Sequence, residues 1–308
     1  MEFGRVADIG DLDLGLPPDH PGTAAVLGAS PDAPGKPEIR IGLPVWDNDE
    51  IARLLFPKDV PRTQRLRAYA RQFNAIELNS SGYGLAERSM AKWVSETPPD
   101  FRFCPKVPRT VSHSGDLTRA TAAYAEFFHT ASRFGSRLGR IHLQFPESFG
   151  PGRFRELEIF LRANAIRHPL AVEVRHPAWF SRPEIREDYF AMLAELGLTA
   201  VIDDTPARRD LIHQRLTVPE AFIRFSGHDR SGKDLHRLEE WVERIRIWLD
   251  QGLKRLWFFP HHVPEHVSVD WAVDLITAMN RACGFDLPAP RLLARIEEPQ
   301  TDLFAQPT

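Results

Sequence analysis

Cysteine is nearly missing from this chain: 308 residues hold two, Cys104 and Cys283. Two thiols exclude a disulfide framework and an all-cysteine zinc site, and they suit a reducing, cytoplasmic setting. Long apolar runs are missing as well. Stretches such as Arg255-Leu-Trp-Phe-Phe259 fall far short of the ~20 residues that span a bilayer. The N-terminus lacks the basic-then-apolar layout of a secretion signal, so no membrane partner is expected. An excess of one charge is also absent: 39 Lys+Arg against 42 Asp+Glu leave a net charge of −3. That balance offers no broad basic footprint, so nucleic acid is not the expected partner, although a local basic patch is compatible with it. No G-x-G-x-x-G follows the first apolar segment, which counts against a dinucleotide-binding sheet.

What remains is an ordinary globular composition, 43% hydrophobic and 26% charged. Proline and glycine crowd the ends. Leu16-Pro-Pro-Asp-His-Pro-Gly22 and Ser30-Pro-Asp-Ala-Pro-Gly-Lys-Pro37 predict that residues 1–38 form a largely irregular arm, partly draped on the domain. A similar tail is predicted over 286–308. No internal repeat is evident.

Between the ends, apolar strands and amphipathic helices alternate. Strands are predicted at 39–45, 75–79, 101–106, 138–145, 170–175, 198–203, 221–225 and 254–259. Helices are predicted at 61–73, 89–96, 119–134, 152–164, 183–196, 235–251 and 267–283. After Asp203 only 207–214 offers a helix. Eight βα units over 39–285 predict a single-domain (β/α)8 barrel. An open doubly wound sheet is the alternative.

The polar residues sit where such a barrel keeps its chemistry. In Leu170-Ala-Val-Glu-Val-Arg-His-Pro177, strand alternation sends Val172 and Val174 one way and Glu173 and Arg175 the other. Other strand ends supply Trp46 and Asp47; Glu77, Asn79, Ser80 and Tyr83; Lys106; His142 and Gln144; His176; Asp203 and Asp204; Arg224 and His228; His261 and His262. Parity places Glu77 with Asn79, Arg102 with Cys104 and Lys106, and Arg140 with His142 and Gln144. If those faces point inward, the interior is far more charged than a usual barrel core. Plainer readings compete. Glu173 and Arg175 suit a structural ion-pair layer, Lys106 a loop lysine, His142 a hydrogen-bonded core histidine, and Asp203-Asp204 a turn cap. His261-His262-x-x-x-His266 has metal-like spacing, yet adjacent strand residues face opposite ways.

Several blocks resemble the YecE-like family, the proteins of domain of unknown function 72. They are Phe73-Asn-Ala-Ile-Glu-Leu-Asn-Ser-Ser-Gly-Tyr83, Arg102-Phe-Cys-Pro-Lys-Val-Pro108, Leu143-Gln-Phe-Pro-Glu-Ser-Phe149, Val172-Glu-Val-Arg-His-Pro-Ala-Trp-Phe180 and Arg224-Phe-Ser-Gly227. The resemblance spans roughly 39–285 and implies a TIM-like barrel without a settled activity. The shared positions it implies are Glu77, Asn79, Ser80, Tyr83, Lys106, Gln144, Glu173, Arg175, His176 and Arg224. The chain departs where the family has F-F-N-N: here the residues are Phe258-Phe-Pro-His261. Gly82 stands where an aromatic is common, and Pro44 precedes Val45-Trp46 in place of small residues.

The expected function is that of a barrel enzyme, hydrolase or lyase, acting on an anionic or sugar-like small molecule. Glu77, Glu173 and Lys106 are the expected catalytic groups. Asn79, Tyr83, Gln144, Arg175, His176, Asp203 and Arg224 are expected to bind substrate. No cofactor is expected. Two alternatives stand beside this reading. One is a divalent-metal hydrolase or nuclease, with Glu77, Glu173, Asp203, His142 and His261 as possible ligands. The other is a non-catalytic ligand- or partner-binding barrel.

Overall fold

Eight apolar segments become parallel strands: β1 (Glu38–Leu43), β2 (Ala75–Leu78), β3 (Arg102–Pro105), β4 (Ile141–Gln144), β5 (Leu170–Glu173), β6 (Thr199–Asp204), β7 (Glu220–Ser226) and β8 (Arg255–His261). The structure, a computed structural model, describes residues 4, 6–29, 36–164, 168–230 and 232–293. The strands pair in the order β3-β2-β1-β8-β7-β6-β5-β4. The two ends of that row, β3 and β4, meet through bridges Phe103–Leu138 and Lys106–His142. There the Gly139 N–H donates to the Phe103 carbonyl at 2.8 Å and the Val107 N–H to that of His142 at 2.9 Å. The sheet is thus a nearly closed ring, and the fold is the predicted (β/α)8 barrel.

Helices pack around the ring: α1 (Pro21–Gly28), α2 (Asp49–Leu55), α3 (Arg65–Tyr69), α4 (Glu87–Glu96), α5 (Arg109–Ser112), α6 (Thr121–Ala131), α7 (Phe154–Asn164), α8 (Ala178–Ser181), α9 (Pro183–Glu195), α10 (Gly232–Asp250) and α11 (Val267–Cys283). Their apolar faces cover the outward strand residues. Trp241 and Trp248 of α10 and Trp271 of α11 are fully buried there. No helix among the described residues is long and apolar enough to cross a membrane.

Some elements differ from expectation. Helix α2 carries no strong apolar stripe; its signal is the N-cap, where the Asn48 side chain accepts from the N–H groups of Glu50 and Ile51 at 2.8 and 3.1 Å. The segment 61–73 splits into a 3-10 turn, Arg62–Gln64, and the short α3. After β6 there is only the 3-10 turn Arg209–Leu211. Strand β5 ends at Glu173, so Val174 and Arg175 open the loop. The N-terminal arm contains α1, started by His20, whose Nδ1 accepts from the Gly22 N–H at 3.1 Å, and by Pro21. Residues 30–35 and 294–308 lie outside the described residues; 286–293 carry no regular structure.

Inside the ring the charged parity holds, and the interior forms layers. At its waist Ala75, Cys104, Ala171, Val201, Phe222 and Phe259 make an apolar plug. Gly42 of β1 belongs to this crowded level, since a Cβ there would lie 2.0 Å from the Ala75 carbonyl oxygen. Below the plug, Glu220 is 1% exposed and collects cations and donors. Arg140 grips it bidentately, Arg255 donates to it, and the Trp257 indole N–H reaches it at 2.8 Å. This basal layer is fully paired, so burial of its charges is offset by hydrogen bonds. Replacing Glu220 with Ala strands the buried Arg140 guanidinium and the Trp257 indole N–H, and leaves the half-exposed Arg255 to water. We expect a loss of about 3–5 kcal/mol in urea-unfolding free energy; a loss below about 1 kcal/mol, the ordinary single-mutation scale, would show that water replaces the carboxylate.

Candidate functional site

Above the apolar plug, the strands end in a second ionic layer centred on Arg224 of β7. Its guanidinium meets three carboxylates from three other strands. Nε and Nη2 hold Glu77 bidentately at 3.0 and 3.2 Å, and Nη1 lies 3.1 Å from Asp203 and 3.5 Å from Glu173. Arg175, just past β5, bridges Glu173 and Asp203, the latter at 3.3 Å. The Glu173 carboxylate also faces His142 Nε2 at 2.7 Å and accepts from Gln144 Nε2 at 2.9 Å. That contact fixes the Gln144 amide, which turns its Oε1 to Lys106 Nζ at 2.6 Å. His261 Nε2 lies 3.2 Å from Glu77. Seven of the expected site residues, Glu77, Lys106, Gln144, Glu173, Arg175, Asp203 and Arg224, are thus joined in one network through Glu173 and Arg224.

The network sits on the floor of a cavity of about 1050 Å³ at the carboxyl ends of the strands. Lys106, Gln144, Arg175, Asp203, Arg224 and His261 line it from below. Asn79 and Ser80 line one side. Trp46 and Trp93 form an edge-to-face pair on the wall, ring centroids 5.2 Å apart, beside Arg62 and Lys92. His176 stands outside this lining; its Nδ1 accepts from the Ala178 N–H at 3.1 Å and so caps the start of α8. Tyr83 closes the 3-10 turn Asn79–Tyr83, but its side chain lies outside the described residues. Asp204 points the other way from Asp203, outward to Arg237, Arg209 and the Trp241 indole. Trp93, Arg62 and Lys92 carried no strand-end signal, because they come from α4 and the loop before α3. His261 falls where the chain departs from the family pattern, and that departure joins the ionic layer.

The electrostatics separate these groups. Burial works to raise the Glu77 carboxyl, but Arg224 and His261 outweigh it and hold it well below its usual range. Glu173 is likewise held low against burial, by Arg175 and Arg224. His142 and His261 are pushed down by burial, against the pull of the carboxylates beside them. A neutral His142 that donates its Nε2–H to Glu173 has Nδ1 as its bare nitrogen, and that atom has no hydrogen-bond partner. Asp203 behaves oppositely. Burial, then the neighbouring Glu173 charge, push its carboxyl up from 3.8 to about 7. Its Oδ1 has no donor beside it, so a proton there can be shared with Glu173. Burial, then the Arg224 charge, pull the Lys106 amine down from 10.5 to about 8. Glu77 and Glu173 spend their lone pairs on guanidinium, imidazole and amide groups. A divalent cation here would have to displace Arg224 or sit against its charge. Among the described residues no set of three or more His, Cys, Asp or Glu side chains is arranged to hold a metal ion.

Fold and site together define a (β/α)8 barrel whose upper core is a buried carboxylate–guanidinium network opening into a solvent cavity. The sequence model of the family described as "Protein of unknown function DUF72" matches residues 40–292, and the chain belongs to that family. It is similar to the UPF0759 protein YecE of Escherichia coli (strain K12), 31% identical over 229 residues, covering 68% of this chain and 82% of that protein. The UPF0759 protein YunF of Bacillus subtilis (strain 168) is 27% identical over 210 residues, covering 63% of this chain and 72% of that protein. A crystal structure of a DUF72 family protein from Enterococcus faecalis V583 superposes with a TM-score of 0.61 at 19% identity, covering 83% of this chain and 100% of that one. One from Thermotoga maritima MSB8 gives 0.59 at 22%, covering 79% and 99%. At these identities the structures support the fold alone.

The raised Asp203 carboxyl makes stability depend on pH with a definite sign. The folded chain holds a proton at Asp203 up to about pH 7, while the unfolded chain releases it near 3.8. This group's contribution is therefore full below pH 3.8 and is lost as pH rises through 7. Asp203→Asn removes that slope. The melting temperature of the variant minus that of the parent is expected to rise between pH 4.5 and pH 8. A difference that stays flat or falls would contradict a raised Asp203.

Proposed function

We propose that the barrel mouth is the active site of an acid–base enzyme, of hydrolase or lyase type, acting on an anionic, polyhydroxylated small molecule. One observation carries this reading. Two groups of opposite chemistry, the Asp203 carboxyl and the Lys106 amine, are both displaced toward neutrality, and both line one cavity at the strand carboxyl ends. Displaced pairs of this kind mark the places where proteins move protons near neutral pH. The proton shared by Asp203 and Glu173 serves as the general acid. The Lys106 amine, held by the neutral Gln144 amide, serves as the base near pH 8. Glu77 and Glu173 keep Arg224 and Arg175 in place, so that the floor presents a fixed positive field to an anionic substrate group. The Trp46–Trp93 wall offers apolar ring faces, and Asn79, Ser80, Arg62 and Lys92 offer polar contacts beside it. The metal alternative draws no support from this arrangement of donors. No cofactor enters the proposal, and the two thiols favour a cytoplasmic setting.

The test is a panel of sugar phosphates and sugar acids, screened for binding by thermal shift and for turnover by product analysis. With a panel compound that turns over, Asp203→Asn and Lys106→Met are each expected to lower kcat by about 10²–10⁴-fold. Binding that survives while no compound is turned over would leave a binding barrel and remove the enzyme reading. Turnover unchanged in both variants would place the chemistry elsewhere.

A further inference from the structure

The N-terminal arm precedes the stretch that the family model matches, which begins at residue 40. Yet its tip reaches the mouth. Gly4 and Val6 line the cavity on the β6 side, next to Thr205 and Pro206. The Gly4 carbonyl accepts from Thr205 Oγ1 at 2.7 Å and from the Ala207 N–H at 3.1 Å. Both residues follow directly on the Asp203-Asp204 end of β6.

The fit at the tip is close. Gly4 is buried and adopts φ +76°, and a Cβ there would lie 1.9 Å from Thr205 Oγ1. A side chain is excluded twice over, by backbone conformation and by contact. From the tip the arm runs down the barrel wall, and side chains of the domain hold its backbone. Lys233 Nζ reaches the carbonyls of Ile9 at 3.3 Å and Leu12 at 3.2 Å, with Gly10 between them. Arg209 reaches those of Leu14 at 2.5 Å and Gly15 at 3.1 Å while also holding Asp204. Further down, Glu240 accepts from the Leu16 N–H at 3.2 Å, and Arg244 and the Trp248 indole hold Asp19. Lys233, Glu240, Arg244 and Trp248 recur at i, i+7, i+11 and i+15 of α10, a single helical face. Ile9 and Leu14 are buried at 3% and 5% exposure, so the strap has apolar anchors as well.

We propose that Gly4 and Val6, held at the mouth by a strap that is anchored along α10 from Ile9 to Asp19, are a built wall of the mouth cavity and set the size of molecule admitted to it. The other walls come from strand ends, the loops after them and helix α4, whereas this wall is supplied by chain that precedes the stretch matched by the family model. The inference rests on the reading that the mouth is the binding pocket. It makes ligand size a property that Gly4, Lys233 and Arg209 determine without touching the proton-transfer groups.

The test needs no ligand. Of the seven tryptophans, Trp46 and Trp93 line the mouth and are half-buried, and the other five are buried. Fluorescence quenching by a small neutral probe, acrylamide, and a bulkier one, succinimide, therefore reports on access to the mouth. Two full-length variants unseat the strap: Gly4→Ala at its tip, and Lys233→Met, which keeps the apolar stem and removes the carbonyl contacts. In the parent, succinimide is expected to quench far less than acrylamide, and the ratio should rise toward one in both variants. Amide exchange at Ala207 is expected to speed up by roughly three- to tenfold, the loss of one net backbone hydrogen bond. An Ala207 amide already unprotected in the parent, or a quenching ratio equal in all three proteins, would overturn the proposal. Neither result would touch the acid–base reading, which is judged on Asp203→Asn and Lys106→Met.

Discussion

Everything at the mouth depends on the contact of Arg224 with Glu77, Glu173 and Asp203. A guanidinium cannot lose its charge in a protein, so a buried arginine dictates the protonation of its neighbours. Arg224 and Arg175 bring two fixed positive charges to three carboxylates; the third cation, Lys106, is held off from the carboxylates by the Gln144 amide and is itself pulled toward neutrality. Burial penalises the imbalance, and the cheapest correction is a proton on one carboxyl. Glu77 has a bidentate partner in Arg224, and Glu173 has Arg175, His142 and Gln144. Asp203 has the fewest donors, with one oxygen unpartnered, so the proton settles there. The labile proton is a consequence of charge balance in a closed ring.

The two ionic layers of the barrel make the contrast clear. Around Glu220 the donors converge: two arginines, an indole and a threonine hydroxyl on one carboxylate. That layer is sealed by the apolar plug on one side and is complete. The upper layer has the same ingredients with more acceptors than fixed donors, and it faces a cavity. A complete network stabilises and specifies; an incomplete one facing solvent is available for exchange with a ligand. The basal layer therefore reads as architecture, and the upper one as a place where chemistry can occur.

Alternation along each strand made the inward faces legible from the sequence: Glu77, His142, Gln144 and Glu173 all point where parity puts them. Which side chains meet was not legible. Arg224 and Glu77 are 147 residues apart, and their contact is set by ring closure and register, which no local pattern records. For the same reason Glu173 could be placed beside Arg175 from sequence, but its hold on the Gln144 amide, and through it on Lys106, could not. Helix α2 leaves little trace in the hydrophobic pattern because its signal is a cap at Asn48 rather than an apolar stripe. Trp93 serves two surroundings at once: it stacks on Phe103 and Phe134 while its other edge meets Trp46. Proline and glycine density described the arm as irregular, which says nothing of where an irregular segment is held.

Strand β6 ties these threads together through one dipeptide. Asp203 faces inward and shares the proton of the upper layer. Asp204, one residue on, faces outward by the same alternation and is fully buried against Arg237, Arg209 and Trp241. Arg237 is locked in turn by Asp234, whose other oxygen accepts from the N–H groups of His228, Asp229 and Arg230. Arg209 carries the contact on to the arm at Leu14 and Gly15. A single turn of extended backbone thus fixes the proton site on one side and, on the other, both the loop after β7 and the strap. A shift of β6 large enough to move Asp203 toward a ligand would pull on Asp204 and the salt bridges behind it. The outer network is therefore what keeps the inner carboxyl from relaxing toward solvent, and without that restraint the charge imbalance around Arg224 would be relieved by water instead of by a proton.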